Sequence, residues 1–246
     1  PAGGSADVQE PTAVPAPSAG EPVLVPPPRL SPYTYVFPVK NCETRYERTS
    51  SAPPGATIWA DRGCAFVAPV DGVVHEVNTQ DRWSPATDRG PDREGRFVTL
   101  LGVDGVLYLG GHLESVAAGI TPGKRVKAGQ LLGRVGNSGA ARTGASNLYF
   151  AISWKTTPTA WWVRRGMVRP WPYLDAWDDG NPTYSPRAAV RALRKRLGVR
   201  PPCTVRCTGA TPSWSRPTPR PSPKPKTKPK PSPEPILINP NDPLLD

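Results

Sequence analysis

The chain has 246 residues and a net charge of +11, from 31 Lys and Arg against 20 Asp and Glu. Nine of its 35 prolines fall in residues 1–32 and fourteen in 201–246, which leaves about 33–200 as the one stretch able to bury a sizeable core. No run of about 18 apolar residues occurs, which excludes a bilayer-spanning helix.

Charge is uneven. Residues 1–32 sum to −2, residues 33–180 to +3 and residues 181–246 to +10, so the basic character belongs to the C-terminal third. The start, Pro1-Ala2-Gly3-Gly4, has no basic-then-apolar leader and reads as that of a processed secreted protein or a trimmed chain. Four cysteines suit an oxidising compartment. Of the three possible pairings, Cys42–Cys64 and Cys203–Cys207 are favoured over a four-thiolate zinc site, whose knuckle spacings the chain lacks.

Residues 1–32 read as a disordered Pro/Ala-rich linker. Order is expected from Tyr33, with short strands at residues 56–60 and 63–77. Residues 78–96 are polar, hold Pro85, Gly90, Pro91 and Gly95, and read as a long exposed loop. The apolar run from Phe97 to Val103 turns at Asp104-Gly105 and returns through Val106 to Leu113. An Asp-Gly pair between two such runs predicts a hairpin with a type I′ turn. Glycines every few residues from Gly119 to Gly136 predict short strands and leave no room for a helix. Ser146 to Ile152 alternates like a strand, which points residues 147 and 149 to one face.

Five aromatics between Trp161 and Trp177 are expected to cover a sheet face; stacking platforms beside a groove are the sharper reading. Ser185-Pro186 opens the only clear helix, which runs to about Leu197 and stops at Gly198. From Ser213 to Pro235, proline alternates with Lys, Arg, Ser and Thr, which predicts an extended basic tail. In a cytosol such a tail would suggest nucleic acid; outside the cell its counterpart is an anionic wall polymer. No G-x-S-x-G elbow, phosphate loop or cysteine nucleophile is present.

The order of these pieces resembles a family. Gly63 to Val74 is similar to the "G-T-P-V-x-A-x-x-x-G-x-V" segment of the lysostaphin-type, LytM-like murein endopeptidases. Tyr108 to Leu113 resembles their "Y-x-x-H-L", Gly119 to Gly136 their "G-x-x-V-x-x-G-Q-x-I-G-x-x-G", and Gly136-Asn137-Ser138-Gly139 with Asn147 to Phe150 their "G-N-S-G … H-L-H-F". The resemblance implies an all-β core, an antiparallel β-sandwich or barrel-like LytM domain of the duplicated hybrid motif. That domain is expected at 33–180, with one C-terminal helix packed on it at 181–200, a basic Pro-rich tail at 201–246 and disordered ends. It also implies secretion to the cell envelope and action on peptidoglycan.

The family's zinc is held by a histidine, an aspartate and the second histidine of H-L-H, leaving a fourth position for an activated water. Carried onto this chain, those positions fall near Ser51, at Thr57 and at Tyr149, and the assisting histidine of the same motif becomes Asn147. Only His112 survives of the family's histidines. A substitute set of Asp61, His112 and Tyr149 needs a frame shift and a tyrosinate ligand; His75 reads as a strand residue. The expectation is therefore a secreted LytM-like domain without zinc or catalytic residues, which binds peptidoglycan or activates a cell-wall hydrolase. Trp59, His112, Arg142, Asn147 and Tyr149 would line its groove, and the tail would meet anionic wall polymers. The alternatives are an active zinc endopeptidase with atypical ligands and a wall-associated structural protein that binds through its tail.

Overall fold

The computed structural model describes residues 28–48 and 53–207. Ser51 and the greater part of the N-terminal linker and C-terminal tail lie outside the described residues.

Eleven strands and three helices follow one another among them. The first strands are β1 (Val39–Lys40), β2 (Arg45–Tyr46), β3 (Gly55–Trp59), β4 (Ala65–Val67) and β5 (Gly72–Asn78). The hairpin of β6 (Phe97–Gly102) and β7 (Leu107–Gly111) comes next, then β8 (Leu113–Val116), β9 (Arg125–Val126), β10 (Leu131–Val135) and β11 (Asn147–Ser153). Helices α1 (Trp161–Arg164), α2 (Trp171–Asp178) and α3 (Arg187–Leu197) close the domain.

All pairings are antiparallel. One sheet runs β2-β3-β11-β7-β6-β5-β9 and the other β1-β4-β10-β8. They form a sandwich, not a closed barrel, and one apolar cluster joins them: Ile58, Leu148 and Phe150 of the large sheet meet Phe66, Leu113 and Leu132 of the small one. The sheets approach closely at Gly110, where a Cβ would stand 2.3 Å from the Phe66 ring. The far face of the large sheet is also covered at its centre, where Phe97, Leu109 and Ala151 are fully buried. That double burial explains why β6 and β7 read as continuous apolar runs, whereas a half-solvated strand would alternate.

The hairpin forms as expected, but its turn differs from type I′. Only Gly105 has positive φ, at 78°, and Gly105 N–H donates to the Gly102 carbonyl while Gly102 N–H donates to Val106. This is a three-residue loop with a left-handed glycine at its end. Asp104 stays out of the left-handed region because its side chain is spoken for. Its carboxylate accepts from Tyr35 Oη–H at 2.8 Å, Tyr108 Oη–H at 2.6 Å and the Val106 N–H at 3.1 Å. An aspartate buried to 1% exposure is tolerated because these donors replace water.

Two expectations change. Residues 90–95 are not an exposed loop: Gly90, Pro91, Asp92, Glu94 and Gly95 are buried against the large sheet. The aromatic stretch contains helices besides α3, since Tyr173, Leu174 and Trp177 recur at helical spacing and are buried, and Pro172 sits in the first turn, where its missing N–H costs nothing. Disulfides link Cys42 to Cys64 and Cys203 to Cys207, the favoured pairing.

Gly110→Ala forces either the strand or Phe66 to move, so it should cost about 1–3 kcal/mol, read as a lowered urea or thermal midpoint.

Candidate functional site

Strand β11 lies between β3 and β7, and its register builds the site. Asn147 pairs with Trp59, and Tyr149 pairs with Thr57 on one side and Gly111 on the other. Because alternate residues share a face, Thr57, Trp59, Asn147 and Tyr149 project from one side of the sheet. His112 follows Gly111, and its ring meets the Tyr149 ring edge-on at 5.7 Å between centroids. Thr57, Tyr149 and His112 are therefore neighbours.

His112 and Tyr149 are each fixed by hydrogen bonds to backbone carbonyls. His112 has φ 62°, and its N–H donates to the Glu94 carbonyl at 2.7 Å. Its Nδ1 lies 2.7 Å from the Ser138 carbonyl, which can only accept, so Nδ1 carries the proton. Burial, aided by the positive charges of Arg93 and Arg165, lowers the imidazole pKa to about 4. Tyr149 Oη–H donates to the Arg165 carbonyl at 2.6 Å, and burial drives its pKa well above the ordinary phenol value. At neutral pH the pair is thus an uncharged imidazole and a phenol. The Tyr149 hydroxyl occupies space beside Gly55, where a Cβ would come within 2.4 Å of it.

A buried ion cluster fills the neighbourhood. Arg165 Nε pairs with Glu94 Oε1 at 2.7 Å as an ion pair, and Arg164 lies 3.7 Å from both Glu94 and Glu76. Glu94 and Arg164 are each only 2% exposed. The guanidinium of Arg164 also stands over the Phe97 ring at 4.7 Å. None of this cluster was singled out from the sequence, because Glu94 sits in a polar stretch rich in turn residues and Arg164-Arg165 in an aromatic one. The available signal was the Arg-Arg pair set between apolar Val163 and Met167.

The five expected groove residues have different settings. Arg142 forms an ion pair with Asp81 at 2.8 Å, and Asp81 also accepts from the Gly139 N–H, so the pair ties the 79–96 segment to the turn before β11. Asn147 is buried and donates to the Ala145 carbonyl. Trp59 lines an open cleft, about 720 Å³ in volume, with Glu43, Arg45, Asp61, Ser146 and Asp178 around it. Asp61 thus belongs to this cleft. His75 is half-buried on β5 beside Glu76.

Zinc takes thiolate, imidazole or carboxylate donors. Thr57 and a phenol that donates its proton to a carbonyl do not fit that ion, and no group of three His, Cys, Asp or Glu suited to a metal occurs among the described residues.

Residues 52–161 match peptidase family M23. A comparison with curated proteins gives no match. Among solved structures, the lytM protein of Ruminococcus gnavus ATCC 29149 is 21% identical with a TM-score of 0.45, over 62% of this chain and 63% of that one. The chain therefore spans less than two thirds of that protein's length. The catalytic domain of lysostaphin from Staphylococcus simulans is 21% identical, with a TM-score of 0.40, over 55% of this chain and 92% of that domain. The catalytic domain of the prophage-encoded M23 protein EnpA from Enterococcus faecalis, solved as a point mutant, is 23% identical, with a TM-score of 0.35, over 53% and 88%.

Lowering the folded pKa of His112 from 6.5 to about 4 has a definite sign. Between those values the unfolded chain binds the extra proton, so stability rises with pH through this window and is lost as pH falls toward 4. An NMR titration should place the His112 midpoint near 4, and His112→Gln should remove its share of the slope, leaving the smaller part due to His75, whose pKa burial also lowers.

Proposed function

Because the chain carries a peptidase family M23 domain at residues 52–161, we propose that it works at the bacterial cell wall as a non-catalytic member of that family. It binds peptidoglycan or a murein hydrolase and cuts neither. The observation that carries this reading is the state of the ligand positions: Thr57 and Tyr149 face each other across β3 and β11, Tyr149 gives its hydroxyl proton to the Arg165 carbonyl, and Arg165 is locked to Glu94. A divalent cation there would meet the charges of Arg93 and Arg165 and no carboxylate free to answer it.

Binding then falls to the open part of the face. Trp59 offers an indole beside the carboxylates of Glu43, Asp61 and Asp178 and the guanidinium of Arg45. An indole can stack on a sugar or a peptide plane, while the charged rim takes amines and carboxylates. Asn147 stands beside Trp59 on the neighbouring strand. The two disulfides favour an oxidising, extracellular setting, and among the described residues no helix is long and apolar enough to cross a membrane. The basic tail adds attraction to anionic wall polymers.

The reading is tested on purified protein and bacterial sacculi. Metal analysis should give substoichiometric zinc, sacculi should gain no new amino termini, and the protein should sediment with them. Trp59→Ala should weaken that sedimentation about fivefold or more. Removing residues 208–246 should leave most of it, because the strap up to Cys207 belongs to the folded unit: Trp154 and Trp162 donate their indole N–H groups to the Val199 and Pro201 carbonyls. One zinc per chain together with cleaved cross-links would establish an active peptidase instead, and binding lost with the tail alone would assign the work to the tail.

A further inference from the structure

Helix α3 packs on the β6–β7 turn through Val190, which is 3% exposed, and carries no acidic residue. Between the helix and the turn lies a pocket of about 330 Å³. Arg187, Arg191 and Arg194 stand along one wall, at spacings of four and three residues that place them on one helix face. The opposite side is made by Val103, Val106 and Trp154, with Val106 and Trp154 each 1% exposed.

The three guanidinium groups have little to neutralise them. Arg187 donates to Tyr33 Oη and, at 3.0 Å, to the Asp104 carbonyl, neither of which is charged. Arg191 and Arg194 are exposed and make no ion pair with a carboxylate of the described residues. The one acid in the lining is Asp104, and its carboxylate is turned inward to Tyr35, Tyr108 and the Val106 N–H. Like charges three and four residues apart destabilise a helix, so this wall carries a cost that an anion would offset.

We infer that the pocket bounded by Arg187, Arg191 and Arg194 on α3 and by Val103, Val106 and Trp154 opposite is a binding site for a phosphate ester. Three guanidinium forks match a tetrahedral phosphate, which offers oxygens in several directions, better than a single planar carboxylate. The volume exceeds what a bare phosphate fills and leaves room for its organic substituent against the apolar wall. Arg187 is set in place by Tyr33 and Asp104, so one donor is oriented before binding, while Arg191 and Arg194 close from the solvent side. This site shares no residue with the Trp59 cleft. Phosphate of this kind is presented by a phosphodiester polymer or by a lipid headgroup.

The test uses the full chain with Arg191→Ala/Arg194→Ala, leaving Arg187 in place. The control is Lys124→Ala/Arg125→Ala, an equal loss of charge on exposed residues elsewhere. Probes are poly(glycerol phosphate) and phosphatidylglycerol vesicles at about 0.15 M salt, where long-range attraction is screened. The α3 variant should bind the polymer about tenfold more weakly than wild type, and the slope of log affinity against log salt should fall by about two, while the control changes little. A loss seen with vesicles alone supports the same phosphate chemistry with a lipid as its source. Arg191→Lys/Arg194→Lys, which keeps the charge and the helix, should still lose part of the affinity because the forks are gone. Equal losses in the α3 and control variants, or no loss with either probe, overturn the proposal.

Discussion

The register of β11 between β3 and β7 is the constraint from which the rest of the site follows. One slip of a residue would turn Asn147 and Tyr149 into the sandwich and bring Leu148 and Phe150 out. Phe150 and Leu148 are wholly buried among residues of both sheets, so apolar packing fixes the register. Polar chemistry on the opposite face inherits that alignment: Thr57, Tyr149 and Gly111 fall in line across three strands whatever side chains they carry. The alignment of this face is therefore set by the core and not by the side chains the face carries.

Glu76, Glu94, Arg164 and Arg165 form a buried ion cluster where β5, the segment before β6 and the end of α1 meet. Burying Glu94 and Arg165 is costly for each alone, and the close ion pair between them offsets part of that cost. The cluster extends to Glu76 and Arg164 and rests on the Phe97 ring. It joins elements distant in sequence: β5, the turn before β6, and α1.

Much of the architecture was legible because local signals and burial agree. The Asp104-Gly105 hairpin, the alternation of β11, the span of α3 ending at Gly198 and the pairing of cysteines all rest on short-range rules that the core then reinforces. The aspartate's own conformation was not legible, since two tyrosines distant in sequence, Tyr35 and Tyr108, decide it. Burial of Glu94 was hidden for the same reason: a Gly- and Pro-rich polar stretch reads as solvent-exposed until Arg165 arrives from 71 positions later. At the site, the alternation that points residues 147 and 149 to one face was legible. The ion pair beside them was not, because a contact between remote residues has no motif.

The contact between the Tyr149 hydroxyl and the Arg165 carbonyl joins the large sheet to the end of α1. Tyr149→His would leave that carbonyl without its donor and open a gap over Gly55. Position 149 is thereby stitched to a helix end sixteen residues further along the chain, so a change in the sheet's polar face is felt at the close of α1.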